Sequence, residues 1–205
     1  MSSATIFTML TFTALSPTSF KLQNGDATLT VFPDGAKAAK DGIALAALPE
    51  APSSLRLRSH STGSGPSAGQ AGSGETKGMI SWPGEYNMSG ISVRGIGHED
   101  GKQVSYVADP DHVRCAFLSD PVKDWTDKQI EAVGDIDVLV LPAADPKVTQ
   151  KLVDEFDPRV LILLPGKDKE ALKAVEKVIG VKERVSEYKI KGTLPAEGRE
   201  VVVLV

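Results

Sequence analysis

Three apolar runs near the C-terminal end, at 136–141, 160–164 and 201–205, are each short enough for a strand and too continuous for an exposed one. Runs of this kind belong in a sheet covered on both faces. Two helical stretches lie between them. Asp145-Pro146 opens the first, with a capping aspartate and proline at the first helical position. Asp168 caps the second, which carries an apolar face of Leu172, Val175, Val178 and Ile179 and stops at Gly180. A third helix precedes the first run. Thr126 is its N-cap, Gln129 stands at the capping-box position, and Gly134 closes it. The C-terminal part is therefore an alternating α/β layout.

The N-terminal part reads differently. Thr, Phe, Ile and Leu dominate 4–14, which suits strands. The segments 20–22 and 27–32 flank Asn24-Gly25, a strong hairpin dipeptide, and Pro33-Asp34-Gly35 is a turn. A short apolar run at 43–48 suits a buried strand. Further strands are expected at 79–82, 91–96, 104–108 and 113–118, as members of a second sheet. These strands are too numerous for a simple doubly wound sheet. The chain of 205 residues is read as one domain spanning 1–205. Eleven of the 20 residues at 59–78 are Gly or Ser, so this stretch is expected to be a flexible loop inside the domain.

Composition excludes some functions. A net charge of −4 offers no broad basic face for nucleic acid or an anionic membrane. The Arg56-Leu57-Arg58 cluster beside His60 reads as solvated loop charge. No apolar run approaches the roughly 18 residues that a membrane helix needs, and 1–20 lacks a basic start before its apolar stretch, so a cytoplasmic location is expected. Cys115 is the only cysteine and lies in an apolar run, which predicts a buried structural thiol. No phosphate-binding glycine loop or credible nucleophile elbow is present.

From Trp82 onward the order of motifs resembles the metallo-β-lactamase-fold hydrolases, in the small lactonase-like and ribonuclease Z-like branch. The resemblance rests on Pro83-Gly84-Glu85-Tyr86, on Gly90 through Ile96, and on Leu118-Ser119-Asp120, where the family writes Leu-Gly-Asp. It continues through Gly134-Asp135-Ile136-Asp137-Val138 to Pro142, and through Asp157-Pro158-Arg159-Val160-Leu161-Ile162. It covers 82–205 well and 5–55 more weakly. It implies a four-layer αββα sandwich and a metal-activated water held by histidines and carboxylates converging from several loop tips.

The ligand signature that the resemblance implies is mostly missing. The family's His-x-His-x-Asp-His cluster falls on Leu48, Glu50, Pro52 and Ser53. The histidine of its first hairpin falls on Pro17, within Leu15-Ser16-Pro17-Thr18-Ser19-Phe20, and its last histidine falls on Pro165. His98 stands near the middle histidine and Asp120 in the place of the bridging aspartate. Residual site candidates are thus His98, Asp120, Glu50 and Glu85, with His98 and Asp120 as weak metal candidates. The bland alternatives are an exposed loop position for His98, a loop turn before Pro121 for Asp120, and turn chemistry for Glu85. His60 and His112 read as exposed. No catalytic residue and no cofactor are expected, with zinc or another divalent ion as the alternative. The expected function is a non-catalytic binding or assembly module, working as a homo-oligomer or beside a paralogous subunit. The competing expectation is an atypical metal-dependent hydrolase of phosphoester or lactone substrates, with a single-metal site built on His98 and Asp120 and new ligands from Glu50, Glu99 or Asp100.

Overall fold

A computed structural model describes residues 9–32, 43–46, 78–88, 90–98, 103–118, 124–195 and 198–205. The first strands are β1 (Leu10–Ser16), β2 (Ser19–Asn24), β3 (Ala27–Val31), β4 (Ile43–Leu45) and β5 (Gly78–Ile80). They are followed by β6 (Gly84–Met88), β7 (Ile91–His98), β8 (Gln103–Asp109) and β9 (Cys115–Phe117). The alternating part contains α1 (Asp127–Val133), β10 (Val138–Pro142), α2 (Pro146–Phe156), β11 (Val160–Leu164) and α3 (Lys169–Ile179). The chain closes with β12 (Glu183–Val185), β13 (Glu187–Ile190) and β14 (Glu200–Leu204).

The strands form two sheets. The first has the order β13-β1-β2-β3-β4-β5 and the second β12-β14-β11-β10-β9-β8-β7-β6. Strand periodicity explains how they pack. Phe12, Phe20 and Leu29 of the first sheet and Tyr106, Phe117 and Val140 of the second share one buried cluster between the sheets. The alternate residues of the second sheet, among them Val107, Leu139 and Leu161, meet the apolar stripes of the helices in a second cluster. Phe20 and Phe117 meet edge to face across the sandwich, with ring centroids 5.4 Å apart. The described residues thus supply three of the expected layers, β, β and α.

Among the described residues, the three helices start and stop at their caps. Thr126 and Gln129 form a reciprocal capping box on α1. The Asp145 carboxylate accepts from the N–H groups of Lys147 and Val148 at the start of α2, and Asp168 accepts from Glu170 N–H at the start of α3. The continuous apolar runs pair in parallel, β9 with β10, β10 with β11 and β11 with β14.

The structure corrects several expectations. The run at 79–82 does not start the second sheet. Residues 78–80 pair in parallel with β4 and close the edge of the first, and the chain crosses to the second sheet only at Trp82-Pro83. Gly95 allows that crossing, because a Cβ there would lie 2.6 Å from the Trp82 carbonyl oxygen. The Gly-Glu-Tyr stretch is a strand, β6, rather than a turn, because it pairs in register with β7. Gly78 belongs to β5, and the rest of the expected 59–78 loop lies outside the described residues, as do the Pro33-Asp34-Gly35 turn and the 56–58 arginines. Val178 is exposed rather than part of the apolar face of α3. Strands β12 and β13 lack a strong apolar pattern and were not expected from the sequence.

Candidate functional site

Strand directions define one rim of the sandwich. The ends of β1, β3 and β4, the start of β2 and the turn after β11 all emerge there, because β2 runs antiparallel to β1 and β3 while β3 and β4 run parallel. Two of the positions that the resemblance assigns to metal ligands, Pro17 and Pro165, come together at this rim. The Gly166 N–H donates to the Pro17 carbonyl oxygen at 2.8 Å. Gly166 itself has φ +73°, and a Cβ on it would stand 2.5 Å from the Ala143 carbonyl oxygen. The turn after β11 is therefore pressed against both the first hairpin and the end of β10. The hairpin turn is held locally, with Ser19 Oγ donating to Ser16 Oγ at 3.0 Å.

This donor set does not suit a metal ion. A proline side chain carries no lone pair, and its amide nitrogen is conjugated into the peptide bond. The Pro17 carbonyl is already engaged by Gly166. Among the described residues no three His, Cys, Asp or Glu side chains are grouped closely enough to hold an ion. Glu50 and Asp120 lie outside the described residues, as do Glu99, Asp100 and His60.

Behind the rim, Tyr106 reaches from β8 across the sandwich. Its hydroxyl lies 2.8 Å from the Ala46 carbonyl oxygen and 2.9 Å from that of Ile80, so it pins the ends of β4 and β5. Burial, and next the neighbouring Tyr86, hold its phenol well above the ordinary tyrosine range. It is a fixed donor rather than an acid or base. Cys115 is fully buried, and that burial, followed by the nearby Asp137 and Asp109, pushes its thiol well up. Its Sγ lies 3.6 Å from the Val113 carbonyl oxygen, the setting of a structural cysteine.

His98 is neither exposed nor in a loop. It ends β7, is buried, and shares its strand face with Arg94 and Ile96, which look outward toward α1. Its Nε2 lies 2.9 Å from Ser105 Oγ, its Nδ1 lies 3.1 Å from Gln129 Nε2, and Trp125 packs against it in a T-shaped contact with centroids 4.5 Å apart. The neighbours fix its tautomer. Gln129 Oε1 accepts from Thr126 N–H, while Gln129 Nε2 donates to the Gly97 carbonyl oxygen at 2.8 Å. Those two partners can act only as donor and acceptor respectively, so the amide cannot be flipped. Its second N–H then points to Nδ1, which must accept, and Nε2 carries the proton given to Ser105. A metal at either nitrogen would have to displace one of these partners.

Glu85 is largely exposed and pairs with Arg94 at 2.8 Å. Arg94 also donates to the Ala132 carbonyl oxygen, and Arg114 donates to that of Val133 from Nε at 3.0 Å. Arg94 of β7 and Arg114, just before β9, thus cap the C-terminal end of α1, where the helix dipole favours a cation. His112 is exposed, as expected. The sequence reading missed Ser105 and Trp125 as partners of His98, and it saw Gln129 only as a cap. Tyr106 was also missed, although a tyrosine within an apolar strand signals a buried hydroxyl in need of a partner.

No family model and no curated relative matches the sequence. Solved structures do. A candidate zinc-dependent hydrolase of the metallo-β-lactamase superfamily from Thermotoga maritima superposes with a TM-score of 0.71 at 21% identity, over 95% of this chain and 97% of that one. A candidate metal-dependent hydrolase from Parabacteroides distasonis gives 0.59 at 14% identity, over 95% and 92%. Igni18, a metallo hydrolase from Ignicoccus hospitalis, gives 0.57 at 11% identity, over 90% and 99%. At these identities the likeness is one of fold, and it covers nearly the whole of each partner. The chain has the metallo-β-lactamase fold.

Proposed function

We propose that this chain is a non-catalytic metallo-β-lactamase-fold protein that serves as a binding or assembly module. The observation that carries the reading is the rim, where proline replaces the histidine ligands that the resemblance assigns to positions 17 and 165, and where Gly166 N–H, next to Pro165, donates to the Pro17 carbonyl oxygen. The sequence 48–53 adds to it, since it contains no histidine. The partner in this reading is a second copy of the chain or a paralogous subunit, with neither nucleic acid nor membrane involved. Among the described residues no helix is long and apolar enough to cross a membrane.

A second reading keeps hydrolysis. It is favoured by the retained scaffold and by the metal-dependent hydrolases among the similar structures. On that reading Asp120 and Glu50 would join other carboxylates around a single zinc or similar ion. Elemental analysis of protein purified without chelator separates the two. The module reading expects less than about 0.2 equivalents of zinc, manganese or iron per chain, well below the one ion of a minimal site. Stoichiometric metal together with phosphodiester or lactone hydrolysis abolished by Asp120→Ala would overturn it. Light scattering of the purified chain, alone and with candidate partners, tests the assembly part.

A further inference from the structure

A metal held by ligands from several loop tips does mechanical work as well as chemistry, because it ties those loops together. At the rim of this fold such a tie exists without any donor side chain. Gly166 N–H donates to the Pro17 carbonyl oxygen at 2.8 Å, linking the first hairpin to the turn after β11 and so joining the two sheets. The turn is seated from the other side as well. Ala143 N–H donates to the Leu164 carbonyl oxygen at 2.8 Å, and the bare Cα of Gly166 lets the Ala143 carbonyl come close enough that a Cβ would sit 2.5 Å from it. Proline at 165 fixes φ one residue before the donor and proline at 17 does so at the acceptor, which narrows the conformations available to both sides before the bond forms.

We propose that this contact is a clasp that ties the two sheets by backbone hydrogen bonding at the rim where the resemblance would place metal ligands. Pro17, Pro165 and Gly166 are then positioning residues of an interface between the sheets. A rim closed in this way is fixed by folding alone and is indifferent to metal supply. The proposal goes beyond the module reading and shares with it the rim contact. Failure to find a partner would sink that reading and leave the clasp untouched, whereas loss of the clasp would sink the proposal and leave that reading to its sequence support and to the metal and light-scattering tests.

The test uses the full chain. Residue-resolved hydrogen exchange should show the Gly166 amide protected by about 100-fold or more over an unstructured peptide. The melting temperature should be unmoved by excess EDTA and by added zinc. Gly192 supplies a control, since it has φ +76° with open space around its Cα, against φ +73° and a close carbonyl at Gly166. Gly192→Ala should cost about 5 °C for backbone strain, and Gly166→Ala at least twice that. An unprotected Gly166 amide, equal losses for the two alanine variants, or a melting temperature lowered by EDTA would each overturn the proposal. If Gly166→Ala fails to fold, the exchange measurement on the unaltered chain decides.

Discussion

The two faces of the second sheet treat polar groups in opposite ways. On the inner face, toward the first sheet, the described side chains are almost all apolar, and the fully buried tyrosine, Tyr106, has its hydroxyl between two backbone carbonyls. On the outer face, under α1, His98, Ser105, Gln129 and Thr126 form a continuous chain of hydrogen bonds. The difference shows that a histidine near the family's ligand position in sequence says little until the parity of its strand is known. One residue of register separates a side chain facing the cleft from one locked beneath a helix.

The comparison breaks most readily at His98. His98→Leu keeps the volume but takes the imidazole partner from the buried Ser105 hydroxyl and from the second N–H of the half-buried Gln129 amide, at roughly 1–3 kcal/mol for a buried group left unpaired. We expect a total loss of about 3 kcal/mol in urea unfolding, and a loss below about 0.5 kcal/mol would show that the network is not tied to the fold. On the inner face, Tyr106→Phe should cost about 2 kcal/mol, because the Ala46 and Ile80 carbonyls lose their phenol donor. A His98/Gln129 double-mutant cycle should give a coupling of about 1 kcal/mol, whereas His98 with Tyr106, on opposite faces, should be additive. The smallest effect belongs to Glu85→Gln. That exposed pair with Arg94 should contribute no more than about 0.5 kcal/mol, and a larger loss would give Glu85 a role beyond its ion pair.

The faces also predict an alkaline response. Burial raises the phenols of Tyr106 and Tyr188 above their ordinary value of 10.0, with hydrogen bonding to Glu200 adding to the effect at Tyr188. The unfolded chain would release these protons near pH 10 while the folded one keeps them. Stability from this source is complete below about pH 10 and declines above it. Denaturation midpoints should therefore fall between about pH 10 and 12, and the fall should be shallower in Tyr106→Phe. An identical slope in the variant would remove Tyr106 from the account.

The C-terminal half was legible because its signals are local. The runs at 138–142 and 160–164 are apolar on both faces, and Thr126, Asp145 and Asp168 cap their helices as their side chains require. The sheet membership of β5 was not legible, since Met79 and Ile80 suit either sheet and the choice is made by distant pairing with β4. Strands β12 and β13 were hidden by exposed glutamates, arginine and lysine on their outer sides. At the rim, the prolines could be read as lost ligands, but not as neighbours of a glycine that bonds across to the first hairpin. Nor could the burial of His98 be read, because its partners come from β8 and from α1, each outside its own strand.

The first sheet has one further consequence. Its outer strand beside β1 is β13, so Leu10 waits for Ile190 and Phe12 for Tyr188. During synthesis β1 leaves the ribosome early, and its partner follows after almost every other strand has emerged. Until then the edge of β1 offers unpaired backbone groups to any passing strand. The slow step of folding should therefore be the docking of the 187–190 segment, a closure of high contact order that no local hairpin can hasten. Nascent chains halted before that segment should be the ones that chaperones hold.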